Sequence, residues 1–510
     1  MAETRRTLSD LLAATPVLQW HGEAGLPIPA VTQDSRTAEA GACFVAVPGF
    51  HVDGHRFLTE AYRRGARAFV VQADRRALWA PLLQYSHAVI AVVADTRAAL
   101  ADLAAAFYGY PARSMTVVGV TGTDGKSTTC YLIAAILEAA GRCNGLIGGV
   151  QFKIANEWRM NDRTQTSPES PLVQELLAEM AGAGVTHAVV ESTSHGLALH
   201  RLDHCEFDIA VFTGLSDDHL DFHETRAAYR DAKAALFRAL DLSADKGTDK
   251  RGVVNADDAE AAFFAAATAA PIVRVGLDAA DLDLTVTDLR QSATGSAFTL
   301  RTPVGDTRVE LALPARFNVR NALAAAGATH ALGIEPAAIA AGLSAVQTVP
   351  GRMERIDCGQ PYTVVVDAAA TTDALRVVME SVRPLLRGRL ILVFGCAGER
   401  DPGRRSGMGA VAARYADYSV VTSENPRSEE PSAIVLEIAA ALEAAGRRRG
   451  RDFEEEPDRR AAIARAFDLA RPDDYVLIAG KGAEQTLIFA DRTQAWDDRE
   501  ISRALLAART

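Results

Sequence analysis

Gly122-Thr123-Asp124-Gly125-Lys126-Ser127-Thr128 joins the apolar run MTVVGV to a stretch of helical composition. A glycine-rich turn between a strand and a helix aims successive backbone N–H groups, and the helix N-terminus, at phosphate oxygens. Glycine is needed because a side chain would hold the backbone off the phosphate. Lys126 offers charge to the outer phosphates, and the Ser127 hydroxyl can ligate magnesium. The strict Walker spacing asks for glycine five positions before Gly125, where Val120 stands. The strand–loop–helix context therefore carries the reading, with an ordinary glycine turn and a surface lysine as the alternative. A nucleoside triphosphate is implied; a reaction is not.

Further polar clusters follow. Glu191-Ser192-Thr193-Ser194-His195 closes the run HAVV. A carboxylate at a strand's C-terminal edge beside a phosphate loop suits a magnesium ligand, although it also suits a buried structural cap. Asp217-Asp218-His219-Leu220-Asp221-Phe222-His223 follows FDIAVFTGL; His219 or Asp221 can meet a second cation, or the run is a capped helix start. Tyr229, Lys233, Leu236 and Phe237 share a helical stretch. A lone helical lysine is ordinarily solvated, so Lys233 takes its meaning from its neighbours.

These residues need elements to position them. At about 150 residues per domain, the 510 residues favour about three domains. Apolar residues make up 48% of the chain, enough for several cores, which excludes disorder and collagen-like structure. Fifty-four basic against 65 acidic residues give −11, which argues against a nucleic-acid binder with a broad basic face. The six cysteines include no CxxC pair, which argues against zinc and a disulfide framework. MAETRRTLSD lacks the apolar run of a signal peptide, and no stretch approaches the ~20 apolar residues of a membrane helix. A cytoplasmic protein without membrane contacts is expected.

The runs CFVAV, AFVV and AVIAVV predict a small α/β unit over 1–111. MTVVGV, HAVVES, FDIAVFTGL and GVVNA alternate with helical stretches, the pattern of a parallel sheet wrapped by helices, over 112–349. Residues 281–313, rich in Val, Leu and Thr with glycine turns, predict an antiparallel excursion closed by a helix over 318–332. YTVVVD, RLILVFG, YSVVTSE and YVLIAG predict a second, Rossmann-like doubly wound sheet over 350–510. Arg447-Arg448-Arg449 and the nearby EEEP read as a solvated loop.

In this order and spacing the motifs resemble the Mur ligase family, and within it the members that add the third residue of the peptidoglycan stem peptide. Asp34-Ser35-Arg36, Phe44-Val45-Ala46, Pro48-Gly49 and Asp53-Gly54-His55 follow the family's uridine-side pattern. GTDGKST, Thr166-Ser167-Pro168-Glu169, ESTSH with Arg201, DHLDFH and Lys233 follow its central domain. Asn318 and Asn321 match the adenine-side helix, Gly351-Arg352-Met353-Glu354 the entry to the third domain, and Asp367, Arg400-Asp401, Asn425-Pro426-Arg427 and Gly480-Lys481-Gly482 the third domain itself.

The resemblance implies that ATP phosphorylates the D-glutamyl carboxylate of UDP-N-acetylmuramoyl-L-alanyl-D-glutamate and that an amine then displaces phosphate. It assigns Lys126, Glu191, His219 and Lys233 to catalysis. Ser127, Glu191, His219 and a carbamylated Lys233 fall near magnesium, and Gly122–Thr128, Asn318, Asn321, Arg352 and Asp367 near ATP. Ser35, Thr166, Ser167, Ser194, Arg201, Arg400, Asn425, Arg427, Gly480 and Glu484 fall near the substrates. The family's diaminopimelate-selecting Asp-Asn-Pro-Arg reads Glu424-Asn425-Pro426-Arg427 here, so meso-diaminopimelate is the expected amino acid. Arg427 offers a bidentate fork that fits a carboxylate. A monomer is expected.

The chain departs from the family at Ala368, Ala370 and Ala483, where rings stand in the pattern, and at Gly214 and Asp217. Two other readings follow: a ligase of the same mechanism with another acceptor or acid, and a non-catalytic partner of cell-wall enzymes.

Overall fold

The computed structural model describes residues 6–509 except 51, 162–164, 217 and 219, and only the backbone at 220 and 221. His219 thus lies outside the described residues, as does Asp217. The chain forms two compact units, one built mainly from residues up to 274 and the other from 131–140, 275–330 and 334–510.

In the first unit a five-stranded sheet has Val89–Val93 and Ala68–Gln72 at its interior. Its side chains alternate between two cores. Cys43, Val45, Val70, Ala91 and Val93 face one, and Phe44, Phe69, Val71, Ile90 and Val92 the other, so the strands read as unbroken apolar runs. The Thr96–Tyr108 helix begins where the Asp95 carboxylate accepts from the N–H groups of Arg97 and Ala98, and ends at Gly109 with φ +78°.

The same unit holds an eight-stranded sheet. Thr116–Thr121 lies between His187–Glu191 and Ile209–Phe212, parallel to both. The loops after these strands, carrying Gly122, Ser192 and Thr213, therefore emerge side by side at the C-terminal edge, where parallel sheets bind ligands. An unforeseen hairpin, Gln151–Ile154 with Glu157–Met160, extends one edge antiparallel. Its turn places Ala155 at φ +52° without the glycine that would have announced it.

In the second unit the expected antiparallel excursion is a meander of Thr285–Ser292, Gly295–Thr302 and Gly305–Leu311. The helix after it spans Arg316–Ala331. The final sheet has six strands in the order Glu354–Ile356, Thr363–Asp367, Tyr475–Ala479, Leu390–Phe394, Tyr418–Val421 and Phe453–Glu455. Only its inner four strands were expected, because the edge strands are three residues each and lack an apolar run. Phe453–Glu455 corrects the solvated-loop reading of EEEP. It pairs with Tyr418–Val421, and Arg449 forms an ion pair with Glu455 at 2.8 Å. Arg447 also turns inward, donating to the carbonyls of Ala413 and Ala416. Two cores again cover opposite faces: Val365, Leu392 and Leu477 on one, Val364, Val366, Val393 and Ile478 on the other.

Candidate active site

Two glycines shape the loop between Thr121 and the Lys126–Ala139 helix. Gly122 has φ +148° and Gly125 φ +82°. A Cβ on Gly122 would sit 2.0 Å from Thr213 Oγ1. Thr213 Oγ1 donates to the Asp124 carbonyl at 2.6 Å, and Thr123 N to the Gly214 carbonyl at 2.8 Å, so the neighbouring strand end holds the loop. Lys126 folds over the loop it opens, Nζ donating to the carbonyls of Gly122 at 3.0 Å and Thr123 at 2.6 Å. Thr128 is buried on the first turn.

Ser127 and Glu191 meet, the hydroxyl donating to Glu191 Oε1 at 2.8 Å. Glu191 Oε2 accepts from Gly149 N at 2.8 Å. The carboxylate is buried at the end of its strand. Lys233 is buried too, correcting any reading of it as a solvated residue. It shares the inward stripe of the Arg226–Leu242 helix with Tyr229, Leu236, Phe237 and Leu240. Its Nζ donates to the Gly122 carbonyl at 2.7 Å and lies 4.4 Å from the centre of the Tyr229 ring. Burial pushes the ammonium well below the usual lysine range, and repulsion from Lys126 pushes it further. The helical spacing of Tyr229, Lys233, Phe237 and Leu240 was the signal for that burial.

Beside Glu191 lies a polar shelf. Ser167 Oγ donates to the Glu191 carbonyl at 2.9 Å and accepts from Thr193 N. Arg201 is buried, with Nη1 on the Ser167 carbonyl at 3.2 Å and Nη2 on Glu169 at 2.7 Å. Thr166 packs over Gly149, where a Cβ would come within 2.8 Å of its methyl. Ser194 is buried, and its Oγ has no hydrogen-bond partner among the described residues. Arg97, unmentioned by the sequence reading, reaches the Pro48 carbonyl at 2.9 Å and approaches Glu169 at 3.8 Å. Ser35 is not part of this shelf; its hydroxyl donates to Glu60 at 3.4 Å.

In the second unit Asn318 and Asn321 are buried one turn apart. Asn318 donates to the Pro314 carbonyl at 2.7 Å, and Asn321 to Asn318 Oδ1 at 3.2 Å. Asp367 ends its strand by accepting from Met353 N and Ala369 N at 2.8 and 2.9 Å, which fixes the turn carrying Arg352.

Asn425 joins a second cluster. Its Nδ2 donates to Glu484 at 3.0 Å, while its Oδ1 accepts from Lys481 Nζ at 2.9 Å and Ile488 N at 3.1 Å. Lys481 also bonds Glu484 at 2.9 Å. Arg427 sits at φ +55°, and among the described residues its guanidinium touches the Gly398 carbonyl alone, at 3.4 Å, which leaves it available. Gly480 has φ +113°, and a Cβ there would come within 3.2 Å of Glu424 Oε2. That oxygen is buried without a hydrogen-bond partner among the described residues. Burial, then repulsion from Glu484, raises the Glu424 carboxyl to about 7 against the pull of Lys481 and Arg459. Arg400 stays exposed on its loop.

The descriptions "Mur ligase family, catalytic domain", "Mur ligase middle domain" and "Mur ligase, glutamate ligase domain" match residues 27–108, 120–329 and 351–482. A UDP-N-acetylmuramyl-tripeptide synthetase of Roseiflexus sp. is 45% identical over 492 residues, which cover 94% of each chain. The chain belongs to the Mur ligase family. A further member, a UDP-N-acetylmuramoyl-L-alanyl-D-glutamate--2,6-diaminopimelate ligase of Geobacillus kaustophilus, is 40% identical over 98% of this chain and 99% of its own. A solved structure of a 2,6-diaminopimelate ligase of this kind aligns with TM-score 0.66 and 28% identity over 99% of both chains. As a Mur ligase the protein is an ATP-dependent enzyme with the family's three-domain α/β fold. No helix among the described residues is long and apolar enough to cross a membrane.

Proposed function

We propose that this Mur ligase joins meso-diaminopimelate to UDP-N-acetylmuramoyl-L-alanyl-D-glutamate in the cytoplasm, acting as a monomer with domains over 1–111, 112–349 and 350–510. The observation that carries the choice of amino acid is the guanidinium of Arg427, loosely tied beside the Asn425–Lys481–Glu484 network. A free fork suits the distal carboxylate of a diamino dicarboxylic acid, and the Glu484 carboxylate suits an ammonium. The name of the Geobacillus kaustophilus relative, a 2,6-diaminopimelate ligase, supports the same amino acid, and that of the Roseiflexus relative supports tripeptide synthesis.

The reaction has a charge problem to solve, since a carboxylate is a poor electrophile and is repelled by ATP. Backbone amides of Gly122–Thr128 and the Lys126 ammonium hold the phosphates. The D-glutamyl carboxylate oxygen attacks the γ-phosphorus and ADP leaves, giving an acyl phosphate. The neutral amine of the amino acid then attacks the acyl carbon. The tetrahedral adduct expels phosphate, the nitrogen loses a proton, and an amide remains. Thr166, Ser167, Ser194 and Arg201 hold the UDP-linked substrate by hydroxyls and charge. Magnesium fits the hard oxygens that meet here, the Ser127 hydroxyl and the Glu191 carboxylate, and a carbamylated Lys233 would add another oxygen and His219 a ring nitrogen. Bound there, it would screen phosphate charge. Few protein donors suffice, because magnesium usually keeps waters and substrate phosphates as ligands. Asn318, Asn321, Arg352 and Asp367 serve the nucleotide, and Arg400 and Gly480 the amino acid.

ADP release in the presence of UDP-N-acetylmuramoyl-dipeptide, screened against a panel of amino acids, tests the assignment. Turnover with diaminopimelate and not with lysine or ornithine is expected; turnover only with another acid or amine would replace it. That second reading is favoured by the three missing rings, two of which fall together: a Cβ on Gly482 would meet that of Ala368 at 2.5 Å, and Ala483 follows directly.

A further inference from the structure

One buried guanidinium holds the roots of two loops. Arg459 Nη1 donates to the Ser423 carbonyl at 3.0 Å and Nη2 to the Ala479 carbonyl at 2.9 Å. The same group forks onto Asp498, with Nε to Oδ1 at 2.9 Å and Nη2 to Oδ2 at 2.6 Å. Trp496 Nε1 steadies Asp498 Oδ1 at 2.8 Å. Arg459 is 1% exposed and Asp498 0%.

A fully buried ion pair adds little to stability compared with apolar side chains of the same volume, so its placement asks for another reason. Ser423 directly precedes Glu424-Asn425, and Ala479 directly precedes Gly480-Lys481. The two loops leave the ends of Tyr418–Val421 and Tyr475–Ala479, which are not neighbours in the sheet, because Leu390–Phe394 runs between them. Among the described residues no strand ladder therefore fixes one loop root against the other, and the bridge between Arg427 and Phe489 joins the loops only further out. The guanidinium spans that gap, and its planar fork sets both distances at once. Asp498 comes from the first turn of the Asp498–Ala507 helix, so a third element anchors the clamp.

We infer that Arg459, oriented by Asp498, is a positioning residue for the added amino acid, setting the separation between the loop of Glu424, Asn425 and Arg427 and the loop of Gly480, Lys481 and Glu484. The inference rests on the assignment of those loops to the amino acid made above. A lysine at 459 keeps the charge but has one nitrogen, which cannot span Asp498 and both carbonyls.

The test is the steady-state kinetics of Arg459→Lys in the full-length enzyme, with circular dichroism and Tm to confirm folding. Loss of loop spacing is expected to raise KM for diaminopimelate about tenfold while kcat and KM for ATP stay within about twofold. A merely structural role would lower the active fraction and leave every KM unchanged, and that result overturns the inference. Should Arg459→Lys not fold, Trp496→Phe, which removes one of the bonds orienting Asp498, decides it: KM for diaminopimelate rises about threefold or the inference fails. Arg427→Ala separates the two levels. If it leaves KM for diaminopimelate unchanged, the assignment of the loops is wrong; if it raises KM and the clamp variants do not, only the clamp is wrong.

Discussion

Lys126 and Lys233 converge on one acceptor: both Nζ atoms donate to the carbonyl oxygen of Gly122, at 3.0 and 2.7 Å. One comes from the residue opening the phosphate-loop helix, the other from a helix 107 positions further along. Two ammonium groups sharing an oxygen repel, and the buried one yields its proton more readily. The loop thus brings a cation for phosphate and a buried amine that holds its proton weakly within reach of the same peptide group.

A neutral amine adds CO2, forming an N–C bond and releasing a proton to give a carbamate. The carbamate nitrogen keeps one hydrogen, so it can still donate to the Gly122 carbonyl. Protein equilibrated with 13C-bicarbonate is expected to show a carbamate signal by 13C NMR that is absent from Lys233→Ala. A spectrum identical in the two proteins would remove the modification from the account.

Lys126→Ala takes away the only side-chain cation contributed by the loop itself. ADP release is expected to fall by about three orders of magnitude, as for other deletions of a group that stabilises developing charge. Among the described residues the lysine bonds its own loop alone, so Tm should move little. Retention of more than about a tenth of the activity would exclude a phosphate role.

Gly122→Ala tests the loop geometry. A methyl group there would meet Thr213 Oγ1 at 2.0 Å from a backbone at φ +148°. Isothermal titration should show loss of ATP binding, whereas Gly182→Ala, with open space around the new methyl and no positive φ, should bind normally.

Arg427→Ala is expected to raise KM for diaminopimelate by roughly 30-fold or more, the worth of a charge-assisted bond, with a smaller change in kcat. Arg427→Lys should not restore it, because one ammonium cannot reproduce the bidentate geometry.

Glu424 makes stability depend on pH. Burial raises its carboxyl from 4.5 to about 7 in the folded protein. Between those values the folded state holds a proton that the unfolded chain has released, so stability falls as pH rises through the window and stays lower above it. The deficit is of order 3 kcal/mol at most. The Tm of Glu424→Gln, relative to the parent, should therefore increase between about pH 5 and about pH 8. A gap constant with pH would show that Glu424 is ionised throughout.

The sequence by itself determined the inner strands of the sheets, their order along the chain and the chemistry of the loops that follow them. Val117–Val120 and Ile391–Phe394 are continuous apolar runs because both faces of their sheets are covered, and that signal is local. The glycines of residues 122–125 were legible because a turn against phosphate tolerates little else. Tertiary structure alone decided which loops meet. Ser127 and Glu191 lie 64 positions apart, and Asn425 and Glu484 59 apart, joined only because parallel strands deliver their ends to one edge. The Phe453–Glu455 edge strand escaped notice because one-sided pairing demands no apolar pattern. The Arg459 clamp was invisible for the opposite reason: an arginine in a charged run reads as solvated, and only the folded chain shows two carbonyls and a carboxylate waiting to pay its desolvation cost.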